Sequence, residues 1–334
     1  MDDARLAGLI NAAGYAESGP GVAVVISAGE GLVASKASGW ARPGIRFSTR
    51  TTTYLASLSK QIIGACAATL VMRGVLDVSA PVSEWLPQLP SWAKGVRVRH
   101  LIHHTSGLPT DAELSARFDR LDESRWDSGS VLDALRRSPE LRFTPGTRFE
   151  YCNAGYIALA EIIDRAAGVP AAEFARTTLF EPIGMRRSAF HSSASSIPSD
   201  AADGHPTPAV TEHWPLPLSI GDGGLWSTAQ DLDAWNRAVL PGGQMGDPVR
   251  SLISVRGQLD DRTPLDYAWG IRVAREHGVL VHSHGGNWPG GWTARSIRLP
   301  DLDIGIAAVS NDGEVDRMVR LTDEIRLYLT RTRA

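Results

Sequence analysis

The spacing of apolar residues changes along the chain, from helical near the start to alternating and then back again. Apolar side chains recur at helical spacing over residues 3–14, which predicts a first helix that Gly19 and Pro20 keep from extending further. Residues 21–41 carry two β-branched runs on either side of residues 28–31, which predicts a hairpin with a glycine-containing turn. The fold should therefore begin with a helix and two antiparallel strands.

A long apolar helix is predicted to follow the hairpin. Ile62, Ile63, Cys66 and Leu70 repeat at intervals of three and four residues, and the pattern stops at Gly74. Since this stretch holds few polar residues, we expect the helix to be buried.

The remaining three quarters of the chain falls into a helical middle and a strand-rich end. Helical patterns lie near residues 129–138, 154–167, 171–179 and 229–239, within a middle region rich in Pro, Gly, Ser and Trp. Strand patterns return over residues 267–274, 278–285, 292–300 and 303–311, and an amphipathic helix follows them.

Strands at both ends with helices between them predict an α+β fold, an antiparallel sheet flanked by the terminal helices. Residues 1–75 and 256–334 would form one discontinuous sheet domain, and residues 76–255 an inserted, mainly helical domain. We expect the active site in the cleft between the two domains.

Composition excludes several functional classes. The chain of 334 residues is 43% hydrophobic and 21% charged, as in ordinary globular enzymes, and its net charge of -3 gives no basic field for nucleic acid. The sequence contains no apolar run of about 18 residues, so no membrane span is predicted. The acidic start lacks the pattern of a signal peptide, so a cytoplasmic location is expected. Cys66 and Cys152 form no disulfide framework or metal set, so we interpret both as reduced, and no cofactor is predicted.

The first candidate for chemistry is the pair Ser57 and Lys60, in the arrangement S-x-x-K. Only three of the 34 basic residues are lysines, and on a helix the i and i+3 side chains share a face, where they can exchange a proton. A serine hydroxyl needs such a neighbouring base to become a nucleophile. A second copy, Ser91 and Lys94, lies in a loop rich in Pro and Trp, whereas Ser57 directly precedes the apolar helix. On this motif alone, an ordinary helix-capping serine explains Ser57 equally well.

Two further motifs favour catalysis. Tyr151 is the one tyrosine of six with asparagine two positions on, and a phenol near an ammonium group can carry protons while Asn153 orients a substrate carbonyl. His284 and Gly286 form an H-x-G pattern on a predicted strand, where glycine lets a substrate approach closely. The next N–H, that of Asn287, could form an oxyanion hole with the N–H of the nucleophilic serine.

The order S-x-x-K, Y-x-N, H-x-G resembles the superfamily of class C β-lactamases, penicillin-binding DD-peptidases, esterases and D-aminopeptidases. The resemblance extends to LIHHTSGLP at 101–109, FTPGTRFEYCNAGY at 143–156 and GDGGLWSTAQDLDAW at 221–235. It implies a β-lactamase/transpeptidase-like fold and a serine hydrolase, with an acyl-enzyme formed on Ser57 and Lys60 and Tyr151 as acid/base partners. Which of those two is the acylation base stays open.

One departure from the family pattern bears on the substrate. His284 stands where dedicated β-lactamases of the family use lysine, and a neutral imidazole holds a substrate carboxylate less firmly. We therefore expect a small ester or amide substrate (esterase, amidase or D-amino-acid peptidase), with a β-lactamase or DD-carboxypeptidase acting on a lactam or peptide as the alternative. An acyltransferase or a non-catalytic acyl-binding protein also fits. The oligomeric state is not predicted.

Weaker signals are interpreted as structural. His282 and His284 are two residues apart and so share one face of the predicted strand. No third zinc ligand follows at recognisable spacing. His103 and His104 are expected to support the HTSGLP loop. The tryptophans at positions 214, 226, 288 and 292 could line an apolar acyl pocket. Packing of the helical domain onto the sheet explains them at least as well.

Overall fold

A computed structural model describes residues 1–116, 126–207 and 218–331 of the chain. Within these ranges the helices are α1 (Asp3–Ala12), α2 (Ser59–Met72), α3 (Val82–Trp85), α4 (Val98–Ile102), α5 (Asp111–Ser115), α6 (Ser128–Arg136), α7 (Asn153–Ala167), α8 (Ala171–Ala175), α9 (Glu181–Ile183), α10 (Ala229–Ala238), α11 (Asp247–Ile253) and α12 (Val315–Arg331). No helix in the described part of the chain is long and apolar enough to span a membrane.

The strands form one large sheet and two small ones. They are β1 (Val22–Ala28), β2 (Gly31–Ser38), β3 (Trp40–Arg42), β4 (Ile45–Arg46), β5 (Thr53–Tyr54), β6 (Ala189–Phe190), β7 (Leu225–Ser227), β8 (Arg272–Glu276), β9 (Val279–Trp288), β10 (Trp292–Leu299) and β11 (Ile304–Ser310). The large sheet has the order β2-β1-β11-β10-β9-β8 with every neighbouring pair antiparallel, which confirms the predicted α+β fold.

The large sheet is covered on both faces, because its central strands are apolar on both sides. In β1, Val22, Val24 and Ile26 pack with α1 and α12, whereas Ala23 and Val25 belong to the core that contains α2. This alternation follows from the two-residue period of a strand. The predicted domain boundaries near residues 75 and 255 stay predictions.

Helix α2 is buried along almost its whole length, as its apolar sequence predicts. It packs against α7, α8 and α11, and Gly64 allows the backbone around Trp269 to approach it closely. The helix thereby becomes a rigid base for the short turn that precedes it.

Two predicted elements differ from those observed. The strand expected over residues 267–274 begins only at Arg272, because a turn at Gly270, with φ +79°, interrupts the extended backbone. The helix expected over residues 171–179 is α-helical only to Ala175 and continues as a π turn over Arg176–Phe180. Apolar periodicity does not distinguish these local hydrogen-bond patterns.

Substitution of Gly64 tests the close packing of α2. A methyl group at Gly64 would overlap the Trp269 carbonyl oxygen, so we expect Gly64→Ala to lower the free energy of unfolding by about 1–3 kcal/mol. Gly8 in α1 is exposed with open space around it, so Gly8→Ala should raise stability by up to about 1 kcal/mol. Urea unfolding followed by circular dichroism measures both, and equal effects of the two substitutions would contradict the packing argument.

Candidate active site

Ser57 lies in a short 3-10 turn, Ala56–Leu58, that leads directly into α2. Ala56 has φ +46°, a conformation that non-glycine residues seldom adopt and that folded proteins hold only where the surroundings fix it. Ser59 fixes the turn from the α2 side, donating its hydroxyl to the Ala56 carbonyl at 2.6 Å and accepting the Leu225 N–H at 3.3 Å. The Ser57 side chain is half-buried at the end of a rigid helix.

Lys60 is fully buried, and its ammonium group donates to three oxygens. Nζ lies 3.0 Å from Ser57 Oγ, 2.8 Å from Asn153 Oδ1 and 2.9 Å from the carbonyl oxygen of Asp222. A buried ammonium group needs this set of partners, since taking it out of water unpaired is costly. The contacts place the lysine within proton-transfer distance of the serine.

Asn153 is the first residue of α7, and its amide group joins Lys60 to an acid. The carbonyl side accepts from Lys60, and Nδ2 donates to Asp111 Oδ2 at 2.6 Å. Because Asp111 accepts an amide hydrogen and Lys60 donates to the amide oxygen, the orientation of the Asn153 amide is set by its partners.

Tyr151 stands at the rim of the site, with 41% of the residue exposed. The centre of its ring is 4.9 Å from Lys60 Nζ and 4.3 Å from the centre of the His104 ring. The structure thus brings Ser57, Lys60, Tyr151 and Asn153 together, although more than 90 residues separate the first motif from the second.

His104 packs behind Tyr151. The sequence analysis did not recognise it as part of the site. Its buried ring lies against Tyr151, Tyr156 and Tyr267, and its Nδ1 accepts the Cys152 N–H at 3.1 Å. Burial, and then the charge of Lys60, keep the pKa of His104 well below its usual value. A neutral ring is what an N–H acceptor at this position requires.

His284 is held in one protonation state on β9. The carbonyl oxygen of Gly285 can only accept, so Nδ1, 2.6 Å away, carries the hydrogen, and Nε2 accepts from the Tyr267 hydroxyl at 3.1 Å. Burial, followed by the charge of Lys60, lowers the pKa of His284 to about 3. The imidazole is therefore uncharged at neutral pH.

Gly286 brings β9 against the turn that carries Ser57. A side chain at this position would overlap the Leu55 carbonyl oxygen and come within 3.2 Å of the Leu58 nitrogen. The next residue, Asn287, is paired with Thr293 of β10 and has an exposed side chain. The predicted H-x-G glycine thus lies where the sheet packs against the turn that carries Ser57.

Two acids near Lys60 were also missed by the sequence analysis. Asp111 lies at the start of α5, and Asp222 is buried with its carboxylate accepting from Ser219 Oγ at 2.6 Å and Trp126 Nε1 at 3.3 Å. Burial raises the pKa of both carboxyl groups, and the Lys60 charge acts in the opposite direction. Of these two acids, only Asp222 lies in a segment that the sequence analysis singled out, the glycine-rich stretch 221–224.

The remaining sequence signals lie elsewhere or have structural surroundings. Ser91 and Lys94 form an exposed 3-10 turn. Trp226 and Trp292 pack edge to face beside Tyr54, while the tryptophan at position 214 lies outside the described residues. The described ranges hold no group of three or more His, Cys, Asp or Glu side chains able to bind a metal ion. Both cysteines are buried free thiols.

Comparison with known proteins places these features in context. A family model described as Beta-lactamase matches residues 6–330. Penicillin-binding protein 4* of Bacillus subtilis is 29% identical over 284 residues, covering 78% of this chain and 60% of its own. A D-aminopeptidase of Gluconobacter oxydans is 26% identical over 321 residues, covering 92% of this chain and 59% of its own. The chain thus spans about three fifths of the length of these relatives.

Solved structures agree on the fold. An octameric penicillin-binding protein homologue from Pyrococcus abyssi has a TM-score of 0.81 at 22% identity, over 99% of this chain and 78% of that one. The D-amino acid amidase of Ochrobactrum anthropi SV3 and the class C β-lactamase of Rhodobacter sphaeroides each give 0.76 at 21% identity, over 96% and 97% of this chain and 99% of each of theirs. The predicted β-lactamase/transpeptidase-like fold is confirmed.

Adjacent glycines on β9 test the contact with the turn that carries Ser57. We expect Gly286→Ala to lower kcat/KM at least 100-fold, because the methyl group must displace the turn that positions Ser57. A methyl group at Gly285 would meet only the Ala294 carbonyl at 3.8 Å, so Gly285→Ala should change kcat/KM no more than about threefold. Hydrolysis of p-nitrophenyl acetate measures both, and similar losses in the two variants would refute the contact as the cause.

Proposed function

The chain belongs to the beta-lactamase family, and from that membership we propose that it is a serine hydrolase that cleaves an ester or amide through an acyl-enzyme on Ser57. The observation that carries the proposal is the 3.0 Å contact between Lys60 Nζ and Ser57 Oγ at the start of α2. A serine with a basic group at this distance has the arrangement of an activated nucleophile.

The reaction takes two steps. Ser57 Oγ bonds to the substrate carbonyl carbon while its proton passes to the Lys60–Tyr151 pair, and the bond from that carbon to the leaving nitrogen or oxygen then breaks as the leaving group takes the proton. Water next attacks the ester carbonyl on Ser57. One proton of the water passes through the same pair to Ser57 Oγ, and the acid and the free serine are released. The division of proton transfer between Lys60 and Tyr151 is left open.

Backbone and side-chain groups around the serine support both steps. The N–H groups of Ser57 and Asn287 would donate to the developing oxyanion, an arrangement favoured by the approach of Gly286 to the catalytic turn. Asn153 and His284 would position the substrate. These roles follow from the family motif at the matching positions of this sequence.

Small ester or amide substrates are favoured over β-lactams. Relatives named for their action on D-amino acid amides and peptides support an amide or ester substrate. With its pKa near 3, His284 offers no positive charge to a β-lactam carboxylate. An acyltransferase is the second candidate, since the same acyl-enzyme would pass its acyl group to an amine or alcohol.

Labelling with a substrate panel tests the nucleophile. We expect a p-nitrophenyl ester, a D-amino-acid amide or both to give turnover or a stoichiometric mass adduct that Ser57→Ala abolishes, because no other hydroxyl contacts Lys60 Nζ in the described residues. Ser91→Ala is the matched control and should keep full activity, since Ser91 belongs to the surface copy of the motif. Intact-mass spectrometry reads the adduct, and added amines or alcohols reveal transfer as new products. Unchanged labelling of Ser57→Ala would refute the assignment.

A lysine at position 284 tests the argument from charge. We expect His284→Lys to raise the rate of acylation by an anionic cephalosporin about tenfold, as a charged hydrogen bond replaces a neutral one, with no gain for a neutral ester. In the wild type, acidification from pH 7 to pH 5 should not increase cephalosporin acylation, because His284 stays neutral until near pH 3. Stopped-flow measurement of both acylation rates checks this, and a gain for both substrates would argue against carboxylate pairing.

A further inference from the structure

Buried backbone strain occurs at two residues in the described part of the chain, and both adjoin proposed catalytic residues. The non-glycine residues with positive φ there are Ala56 (+46°), His104 (+55°), Arg262 (+71°), His277 (+50°) and Asp303 (+54°). Of these, Ala56 and His104 are the two that are buried. Ala56 directly precedes Ser57, and His104 packs against Tyr151. Strain of this kind persists only where the surroundings fix it, and it is typical of functional sites.

His104 contacts the chain on both sides of Tyr151. Its carbonyl oxygen accepts the Glu150 N–H at 2.8 Å, and its Nδ1 accepts the Cys152 N–H at 3.1 Å. The centre of its ring lies 4.3 Å from that of the Tyr151 ring, and the two planes are inclined by 34°. One residue therefore fixes the backbone before and after Tyr151 and also packs against its ring.

The other ring nitrogen of His104 has no partner. Because the Cys152 N–H can only donate, Nδ1 carries no hydrogen, and the single hydrogen of the neutral ring is on Nε2. Nε2 forms no hydrogen bond within the described ranges, although the residue is only 1% exposed. A buried donor without an acceptor lowers stability, and so does the strained backbone. Stability therefore does not account for a histidine at this position.

We propose that His104 is a positioning residue for the reaction, and that it holds Tyr151 where its hydroxyl can pass a proton to the leaving group. This inference rests on the proposed serine hydrolase and deepens it. As the bond from the carbonyl carbon to the leaving oxygen or nitrogen breaks, its electron pair stays on the leaving atom. The proton that Ser57 gave to the Lys60–Tyr151 pair then passes from the Tyr151 hydroxyl to that atom, while the acyl group stays on Ser57.

Tyr151 needs such support because 41% of the residue is exposed. An exposed side chain changes rotamer rapidly, whereas a proton donor must stay within hydrogen-bond distance of the atom that it protonates. In the described ranges the centre of the Tyr151 ring lies 6.2 Å from those of Tyr267 and His284, and 4.3 Å from that of His104. His104 is thus the nearest of these aromatic neighbours.

A role limited to supporting the HTSGLP loop makes a different prediction. If His104 only stabilises that loop, its loss should lower activity by the same factor for every leaving group. If it positions Tyr151, the loss should grow as the leaving group becomes more basic, because an acidic phenol departs without a proton and a basic one does not.

The experiment uses p-nitrophenyl, phenyl and p-methoxyphenyl butyrate, which share an acyl group and differ in the basicity of the leaving phenol. His104→Gly tolerates the positive φ and removes the ring, whereas Tyr151→Phe keeps its ring and removes the hydroxyl. We expect each variant to lower kcat/KM about tenfold more for the p-methoxyphenyl ester than for the p-nitrophenyl ester, since general acid catalysis is lost. The double variant should show no greater selective loss than Tyr151→Phe alone. Ultraviolet absorbance of the released phenol gives each value.

His100 provides the matched control. It is 5% exposed, its Nδ1 accepts the Arg97 N–H at 3.1 Å, and its Nε2 has no partner in the described ranges, but these contacts lie at the start of α4. His100→Ala should lower the melting temperature and leave the ratio of the kcat/KM values unchanged. If His104→Gly does not fold, His104→Asn replaces it. Asparagine tolerates positive φ, and its Oδ1 is bonded to Cγ as Nδ1 is in histidine, so this variant keeps an acceptor for Cys152 and loses the ring.

The outcomes separate this inference from the proposed function. Equal losses for all three esters in the His104 variant overturn the positioning role and favour support of the loop. Selective losses that multiply in the double variant also overturn it, because His104 would then act independently of Tyr151. An unchanged ratio in Tyr151→Phe overturns it as well. Turnover that survives in Ser57→Ala would refute the nucleophile, whereas a failed ratio with an inactive Ser57→Ala refutes only the role of His104.

Discussion

The burial of the Lys60 ammonium group is the constraint on which the rest of the structure depends. An ammonium group without water needs three acceptors, and the chain provides them from three separate segments. One is the turn before α2, one is the start of α7, 93 residues away, and one is the loop at Asp222, 162 residues away. The Lys60 contacts therefore join three segments that lie far apart in the sequence.

The titratable side chains around Lys60 Nζ include two histidines and two acids. Two histidines are kept neutral by burial and by the lysine itself, and two acids have their carboxyl pKa values raised by burial. One ammonium group and two carboxyl groups therefore lie close together in this site. Its selectivity should depend on this balance as much as on shape, because charges in a partly dry site interact strongly.

Much of the fold and the central part of the site could be predicted from the sequence. The apolar spacing of α2 and of the four C-terminal strands follows directly from burial on one or both faces. The motif residues Ser57, Lys60, Tyr151 and Asn153 were identified because their chemistry and order are distinctive. His104 and Asp111 were not, since their roles arise from contacts across 40 or more residues that no local pattern encodes. The sequence TDAE at 110–113 is typical of a helix start, but it does not indicate what the first aspartate faces.

The pairing of β1 with β11 has a consequence for how the protein is made. Val22 lies opposite Ser310 in the middle of the sheet, so the apolar edge of the first hairpin has no partner until the ribosome has added more than 280 residues. At about 5–20 residues per second, the wait is about 15–60 s. During that time the unpaired edge of β1 is open to pairing with other chains, which is an aggregation hazard.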